Sequence, residues 1–456
     1  MMFSSSQCGG ALSKNGVVGK MFSQHTAHFA CLLLVLMLMV GRVRAQQANA
    51  ADSDKQTIQM LARRIDQLEA RVALLESKQA AQAGATSEPA LPSSAVPAEA
   101  EAESRPEHAE PERMDMTRTL LNIRGFGDVT FHGDTAKHDT TSFTLGQLDL
   151  FVTSDISEKF KFLSEIVFEA GQDNVFGVDV ERYLLQYAPN DYFNLSVGRY
   201  HTAIGYYNTA YHHSTWLQTT TGRPFLFLFE DGGGILPIHN VGISATGLIP
   251  SGKLGLHYVA EVGNGRSPNS YPNISPNVST EAVQNVVDDH NGKSFNLALY
   301  VRPAAIRGLQ AGFSVYHDNL APTGLPNINE NIFAAHAVVV RPSFEWLNEA
   351  LLIRHAVNGS SRVFNTPGFY TQVSRRFGSY RPYVRYQYVN AANTEPLFGP
   401  QVGLQNGPSV GVRYDPSESV AFKVQYDYTN RRQLQPTTGL PGQSVNGLAA
   451  QLGFTF

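Results

Sequence analysis

Charged side chains at every second position of extended segments can hold a standing field across a water-filled space, which isolated charges cannot do. Near the C-terminus, Arg376, Tyr383, Arg385, Arg413 and Lys423 fall on one side of such segments, and Arg124 joins them from the first segment of the same kind. Asp149, Lys161, Glu165 and Glu169 take the corresponding side of the second and third segments and are mostly negative. A basic strip facing an acidic one would orient dipolar solutes and bias passage toward anions. The competing use of such groups is structural, as ion pairs that fill an interior.

A second set lies in the stretch 201–239, where Tyr206, Tyr207, Tyr211, Trp216, Phe225, Phe227 and Phe229 are interspersed with Arg223, Glu230 and Asp231. These aromatics suit a loop folded into a lumen as a constriction, with the charges presented to a passing solute; the alternative is a cap over the mouth or a subunit contact. His212-His213-Ser214 suggests a metal pair or a hydrolase centre, but adjacent histidines on an extended chain point to opposite sides and no carboxylate stands at ligand spacing. Gly232-Gly233-Gly234 lacks the helix signal and lysine of a phosphate-binding loop. The sequence therefore predicts no catalytic set, no metal and no cofactor.

Composition limits the elements that could position these groups. Only 16% of the 456 residues are charged and the net charge is −4, so no cationic excess exists to track a nucleic acid. Stacked membrane helices would need several apolar runs of roughly 20 residues, and only Ala30 to Val40 approaches one. The 39 glycines, 19 tyrosines and 26 phenylalanines favour many strands and turns.

From residue 119 to 456 the chain is a series of roughly ten-residue segments alternating apolar with polar or small residues. Val420, Phe422, Val424, Tyr426 and Tyr428 alternate with Ala421, Lys423, Gln425, Asp427 and Thr429. The count of such segments is about sixteen; those near 332–340 and 346–357 alternate poorly. Tight connections such as 157–159, 190–192 and 378–379 take turns with long ones at 201–239, 264–292, 318–330, 391–408 and 431–445. A soluble sandwich gives no reason to segregate loop length by end, whereas a transmembrane antiparallel β-barrel does. The outward face would carry two aromatic girdles: Phe160, Phe162, Phe422, Phe454 and Phe456 near one end, and Tyr388, Tyr426 and Tyr428 near the other.

Ahead of the barrel, a basic segment, a short apolar core and Val43-Arg44-Ala45 read as a signal peptide over 1–45, with Met1 or Met21 as the start. Both cysteines, Cys8 and Cys31, lie within it, so the mature chain would contain none. Over 54–79, Ile58, Leu61, Ile65, Leu68, Val72 and Leu75 form a heptad seam, flanked by Arg64, Arg71, Glu69 and Glu76 for interchain pairs. The seam alone suits two strands; the hexads RIDQLE and RVALLE resemble those of short trimeric coiled coils. Residues 80–113, rich in Ala, Pro, Glu and Ser, form a disordered linker.

Three places in the segment series stand out: the last segment with Leu452, Phe454 and Phe456; Gly198-Arg199-Tyr200-His201-Thr202-Ala203-Ile204-Gly205; and FTLGQLDLFVTSDISEKFKFLSEIVFEAG over 143–171. On these, residues 119–456 resemble the trimeric outer-membrane porins, and within them the phosphate-selective porin O and P family: the last segment looks like the signal read by the barrel assembly machinery, and Ala203 stands where the family usually has proline. The resemblance implies a homotrimer embedded in outer-membrane lipid of a Gram-negative bacterium. It also implies a coiled coil in the periplasm with peptidoglycan as a candidate partner, and a channel for passive diffusion of small hydrophilic solutes; the bias toward anions comes from the charged strips. Phosphate specificity is not expected, because the loops hold few lysines. A coiled-coil tether or adhesin and a barrel enzyme are the alternatives.

Overall fold

The computed structural model describes residues 120–136, 140–171, 174–211, 215–229, 234–270, 287–288, 290–432 and 442–456. The expected signal peptide, coiled-coil seam and linker lie outside them, as do Glu230, Asp231 and His212 to Ser214.

Sixteen antiparallel strands close into one barrel, each paired with its chain neighbours and the first with the last. They are β1 Leu120–Asp134, β2 Ser142–Asp155, β3 Phe160–Ala170, β4 Phe176–Asn190, β5 Phe193–His201, β6 His239–Ile249, β7 Leu256–Gly263 and β8 Ser294–Val301. The second half comprises β9 Leu309–Leu320, β10 Ile328–Arg341, β11 Phe344–Val357, β12 Val363–Arg375, β13 Tyr380–Asn390, β14 Leu404–Tyr414, β15 Val420–Arg432 and β16 Gln443–Thr455. Closure removes every sheet edge, the condition for strands to cross a bilayer with no unpaired backbone facing lipid.

The two-residue period decides which face each side chain takes. On β15, Phe422, Val424 and Tyr426 are 47%, 48% and 47% exposed, while Lys423 and Gln425 between them are 1% and 3% exposed. The oily set therefore points out and the polar set points in. At the seam, β1 and β16 exchange backbone hydrogen bonds between Gly125 and Phe456, at 2.9 and 3.0 Å. A β-carbon on Gly125 or Gly127 would strike the rings of Phe456 or Phe454, so these aromatics lie flat over a groove that only glycine leaves open.

One end of the barrel has short connections, from two residues at 191–192 and 342–343 up to 302–308. The other end holds the long loops 202–238, 264–293 and 391–403. The alternation in length is looser than expected: 171–175 and 358–362 at the long-loop end are short, and the loop expected over 318–330 shrinks to 321–327 because β9 and β10 extend further.

The poorly alternating segments are β10 and β11, which are regular strands with apolar residues on both faces. Phe333 and Trp346 point out, while Ile332, Ala334, Val338, Leu347, Leu351 and Ile353 point in and are buried. Their inward partners come from the loop 202–238: Ile204, Tyr207, Leu226, Phe227, Ile235 and Leu236 share one buried cluster with the β9 to β13 wall. Alternation fails where the barrel has an oily surface on each side.

Candidate functional site

The loop between β5 and β6 is built into the barrel rather than laid over it. At the end of β5, Gly198 adopts φ 137°, and a β-carbon there would lie 2.0 Å from the Tyr183 carbonyl oxygen. Gly205, at φ 72°, makes the second bend. Between them the Ala203 N–H donates to Glu261 Oε2 at 3.0 Å. A proline at this position would lack that donor.

A loop without a sheet ladder must satisfy its backbone groups some other way. On the β11 side it does so with carboxylates. The N–H groups of Tyr206 and Tyr207, at the start of a one-turn helix over Tyr207–Ala210, donate to Glu349 at 2.5 and 3.0 Å, and Tyr370 Oη donates to the same carboxylate at 2.6 Å. Glu345 accepts from Tyr211 Oη at 3.0 Å, Thr219 Oγ1 at 3.4 Å and Gln372 Nε2 at 2.8 Å. The N–H of Phe225 reaches Gln387 Oε1 at 2.9 Å. Burial, with Glu345 and Glu349 nearby, pushes the Tyr206 hydroxyl up to about 12.

Toward β13 to β16 the loop is held by cations. Lys423 Nζ donates to the carbonyls of Thr215 and Thr220, the latter at 2.9 Å, and to Gln451 Oε1 at 3.0 Å. Arg413 Nη1 donates to the carbonyls of Trp216 and Gln218 at 2.6 and 2.8 Å, while its Nε pairs with Asp415 at 2.7 Å. Arg385 Nη1 reaches Gly222 O at 3.0 Å and Thr220 Oγ1 at 3.3 Å. The strip expected to face solute is thus engaged with loop carbonyls over 215–222. Arg124 is exposed, with its guanidinium 5.3 Å from the Trp216 ring centre. Arg376 falls in the turn after β12, because that strand ends at Arg375, and its Nε donates to Gly378 O at 2.9 Å. Arg223, within the loop, donates to Phe227 O and lies 4.0 Å from the Phe229 ring centre.

The β2 to β4 wall brings together the expected acidic residues. Asp149 and Glu165 are buried, and Arg182 Nε lies 2.6 Å from Glu165 Oε2. A bulge opposite Glu165 turns two consecutive residues, Glu181 and Arg182, toward the interior. Glu181 meets His239 at 2.8 Å and Arg199 at 3.5 Å. Glu169 pairs with Gln147 across strands, and Lys161 stands exposed at the short-turn mouth, 3.9 Å from Asp155. Carboxylates of Glu169, Asp179 and Glu181 come within 4.8 Å of one another, with Arg199 and the His239 ring already placed against Glu181.

At the long-loop end a buried network ties loops to wall. Arg266, from the loop after β7, pairs with Glu330 and donates to Ile235 O at 2.9 Å. His355 links Glu330 and Glu395 at 2.6 Å each, and Glu395 accepts from the N–H groups of Leu397 and Phe398. The sequence did not single out Glu261, Glu345, Glu349, Glu330, Arg266 or His355. The available signal was a carboxylate at every fourth position of the apolar inward face of β11, in Glu345 and Glu349.

No protein-family model matches the sequence, and no curated protein matches it. Among solved structures, the anion-selective porin from Comamonas acidovorans is 11% identical, with a TM-score of 0.52 over 74% of this chain and all of that one. Salmonella typhi OmpF in complex with daunomycin is 12% identical, with a TM-score of 0.50 over 74% of this chain and 97% of that one. At this identity the likeness concerns the fold, a porin-like closed barrel of sixteen strands.

Proposed function

We propose that the chain is an outer-membrane porin, a narrow water-filled channel for passive diffusion of small hydrophilic solutes with a preference for anions. The observation that carries this reading is the long loop after β5, whose described residues lie inside a closed barrel with an oily exterior and are bound to its wall. A loop so placed narrows a passage. The anion preference is assigned to Arg124, Lys161 and Arg302, cations exposed on the inner wall or mouth at the short-turn end, with Arg385 and Arg413 adding positive field from behind the loop.

The rest of the assignment rests on sequence pattern: a homotrimer, a periplasmic coiled coil over 54–79 with peptidoglycan as its candidate ligand, and Leu452, Phe454 and Phe456 as the assembly signal. The likeness to the phosphate-selective porins rests on the stretch 198–205, the run over 143–171 and the last strand.

The test is single-channel recording in planar bilayers under a salt gradient. Ohmic current with a reversal potential on the chloride side supports the proposal. Absence of current refutes the channel, and a reversal potential on the potassium side refutes the anion preference.

A further inference from the structure

The inner wall of β3 and β4 carries three carboxylates that one ion could join. Asp179 and Glu181 stand two positions apart on β4, and Glu169 of β3 lies opposite Gly177, the next inward position along β4. One oxygen from each comes within 4.8 Å of the others. Gly177 keeps the approach open, because a β-carbon there would meet nothing within 4 Å. Glu169 and Asp179 are only partly buried, so a small ion can reach them from the lumen, while Glu181 is buried behind them.

Crowded carboxylates alone are common on protein surfaces, but here a buried neighbour lacks a donor. Asp149 of β2 pairs with Val167, which pairs with Asp179, so the two aspartates face inward at one level of the wall. Asp149 is 1% exposed, and neither of its carboxylate oxygens has a hydrogen-bond donor among the described residues. Glu165 and Glu181 bear on it with like charge, against Arg182, which is itself paired with Glu165. A buried carboxylate without a donor is uncommon and costly. A cation held by Asp179 and Glu181 would supply positive charge on the side where Asp149 has none.

We propose that Glu169, Asp179 and Glu181 bind a calcium ion, a site that residue spacing in the sequence did not suggest. The proposal deepens the channel reading above and takes from it only that water fills the space beside this wall. Donor type and spacing select the ion. All three ligands are carboxylate oxygens, which suit a hard cation, with waters completing its shell. Two ligand atoms on one ion lie no farther apart than twice the bond length, about 4.2 Å for magnesium and about 5 Å for calcium. A spread of up to 4.8 Å therefore fits calcium without a shift of the strands. Arg199 Nη2 and His239 Nε2 both meet Glu181 at Oε2, and an ion on Oε1 keeps both contacts. The bound ion would offset the acidic strip and strengthen the field that favours anions.

The experiment uses the full chain folded in lipid-free detergent, with calcium chloride and magnesium chloride as calorimetric titrants, and the same chain in planar bilayers of neutral lipid. Calcium should bind one per chain with a Kd of about 10⁻⁴ to 10⁻³ M, the range of extracellular calcium modules, and at least tenfold more tightly than magnesium. Glu169→Gln and Asp179→Asn should each weaken it tenfold or more, and Glu158→Gln, in the turn after β2, should leave it unchanged. Millimolar calcium on both sides of the bilayer should move the reversal potential further to the chloride side, and less so in the two ligand variants. Calcium binding no tighter than magnesium, or indifferent to both ligand variants, overturns the site. Absence of calcium binding overturns it too, and leaves a proton shared by Asp149 and Glu165 as the balancing charge. Selective calcium binding without bilayer current upholds the site and refutes the channel; current without calcium binding does the reverse.

Discussion

The same loop is held in opposite ways by two walls of the barrel. Against β9 to β13 it is seated by its side chains, with Tyr207, Leu226 and Phe227 buried among Leu347, Leu351 and Tyr370. Against β13 to β16 it is seated by its backbone, with Lys423, Arg413 and Arg385 gripping carbonyls over 215–222. The first grip depends on shape and apolar area; the second asks only that a carbonyl be present and is indifferent to the side chain beside it. Glu349 joins the two modes, since it lies within the apolar wall and takes backbone N–H groups.

Removing Glu349 should therefore have the largest effect. Glu349→Ala would leave two N–H groups and the Tyr370 hydroxyl buried without their acceptor, a cost of about 4 kcal/mol. Urea unfolding in detergent should register it, and single-channel conductance should rise as the loop is released. Leu347→Ala would test the side-chain grip alone by opening a cavity worth about 3 kcal/mol. Lys423→Met would test the backbone grip and should cost less, about 2 kcal/mol, because the freed carbonyls can take water. If Lys423→Met destabilises more than Leu347→Ala, the ranking of the two grips is reversed.

The contrast also explains what the sequence revealed. Strand ends at 142–155, 160–170 and 380–390 coincide with those expected, and on β13 an oily outer face and polar inner residues keep a clean two-residue period. The period is lost on β10 and β11, where the loop replaces water as the inner neighbour. The cations were legible as an inward strip, but their use was not. A lysine aimed at a carbonyl 203 positions away, like a carboxylate capping an N–H 142 positions away, leaves no local pattern. Arg376 has the inward parity of its segment, and only the end of β12 one residue earlier shows that it belongs to a turn.

The finest test separates shape from polarity within the side-chain grip. Tyr207 stacks on Phe227 with ring centres 5.5 Å apart, yet its hydroxyl is buried without a partner among the described residues. Burial pushes that hydroxyl up to about 12 from its ordinary 10; Arg223 and Arg385 pull the other way, and Glu345 and Glu349 add to the rise. The seated loop thus disfavours the ionised form. Its contribution to seating is complete below pH about 10, where the tyrosine is protonated in either state, and is lost as pH rises from about 10 to about 12. Tyr206 and Tyr211, also raised by burial, should act in the same direction, so conductance of the native channel should climb across that window. Tyr207→Phe keeps the ring and deletes the orphan hydroxyl, so stability should hold or rise by up to about 1 kcal/mol. The alkaline rise in conductance should become shallower without vanishing. A Tyr207→Phe variant that loosens the loop as far as Glu349→Ala would show that the hydroxyl, rather than the ring, holds this side of the loop.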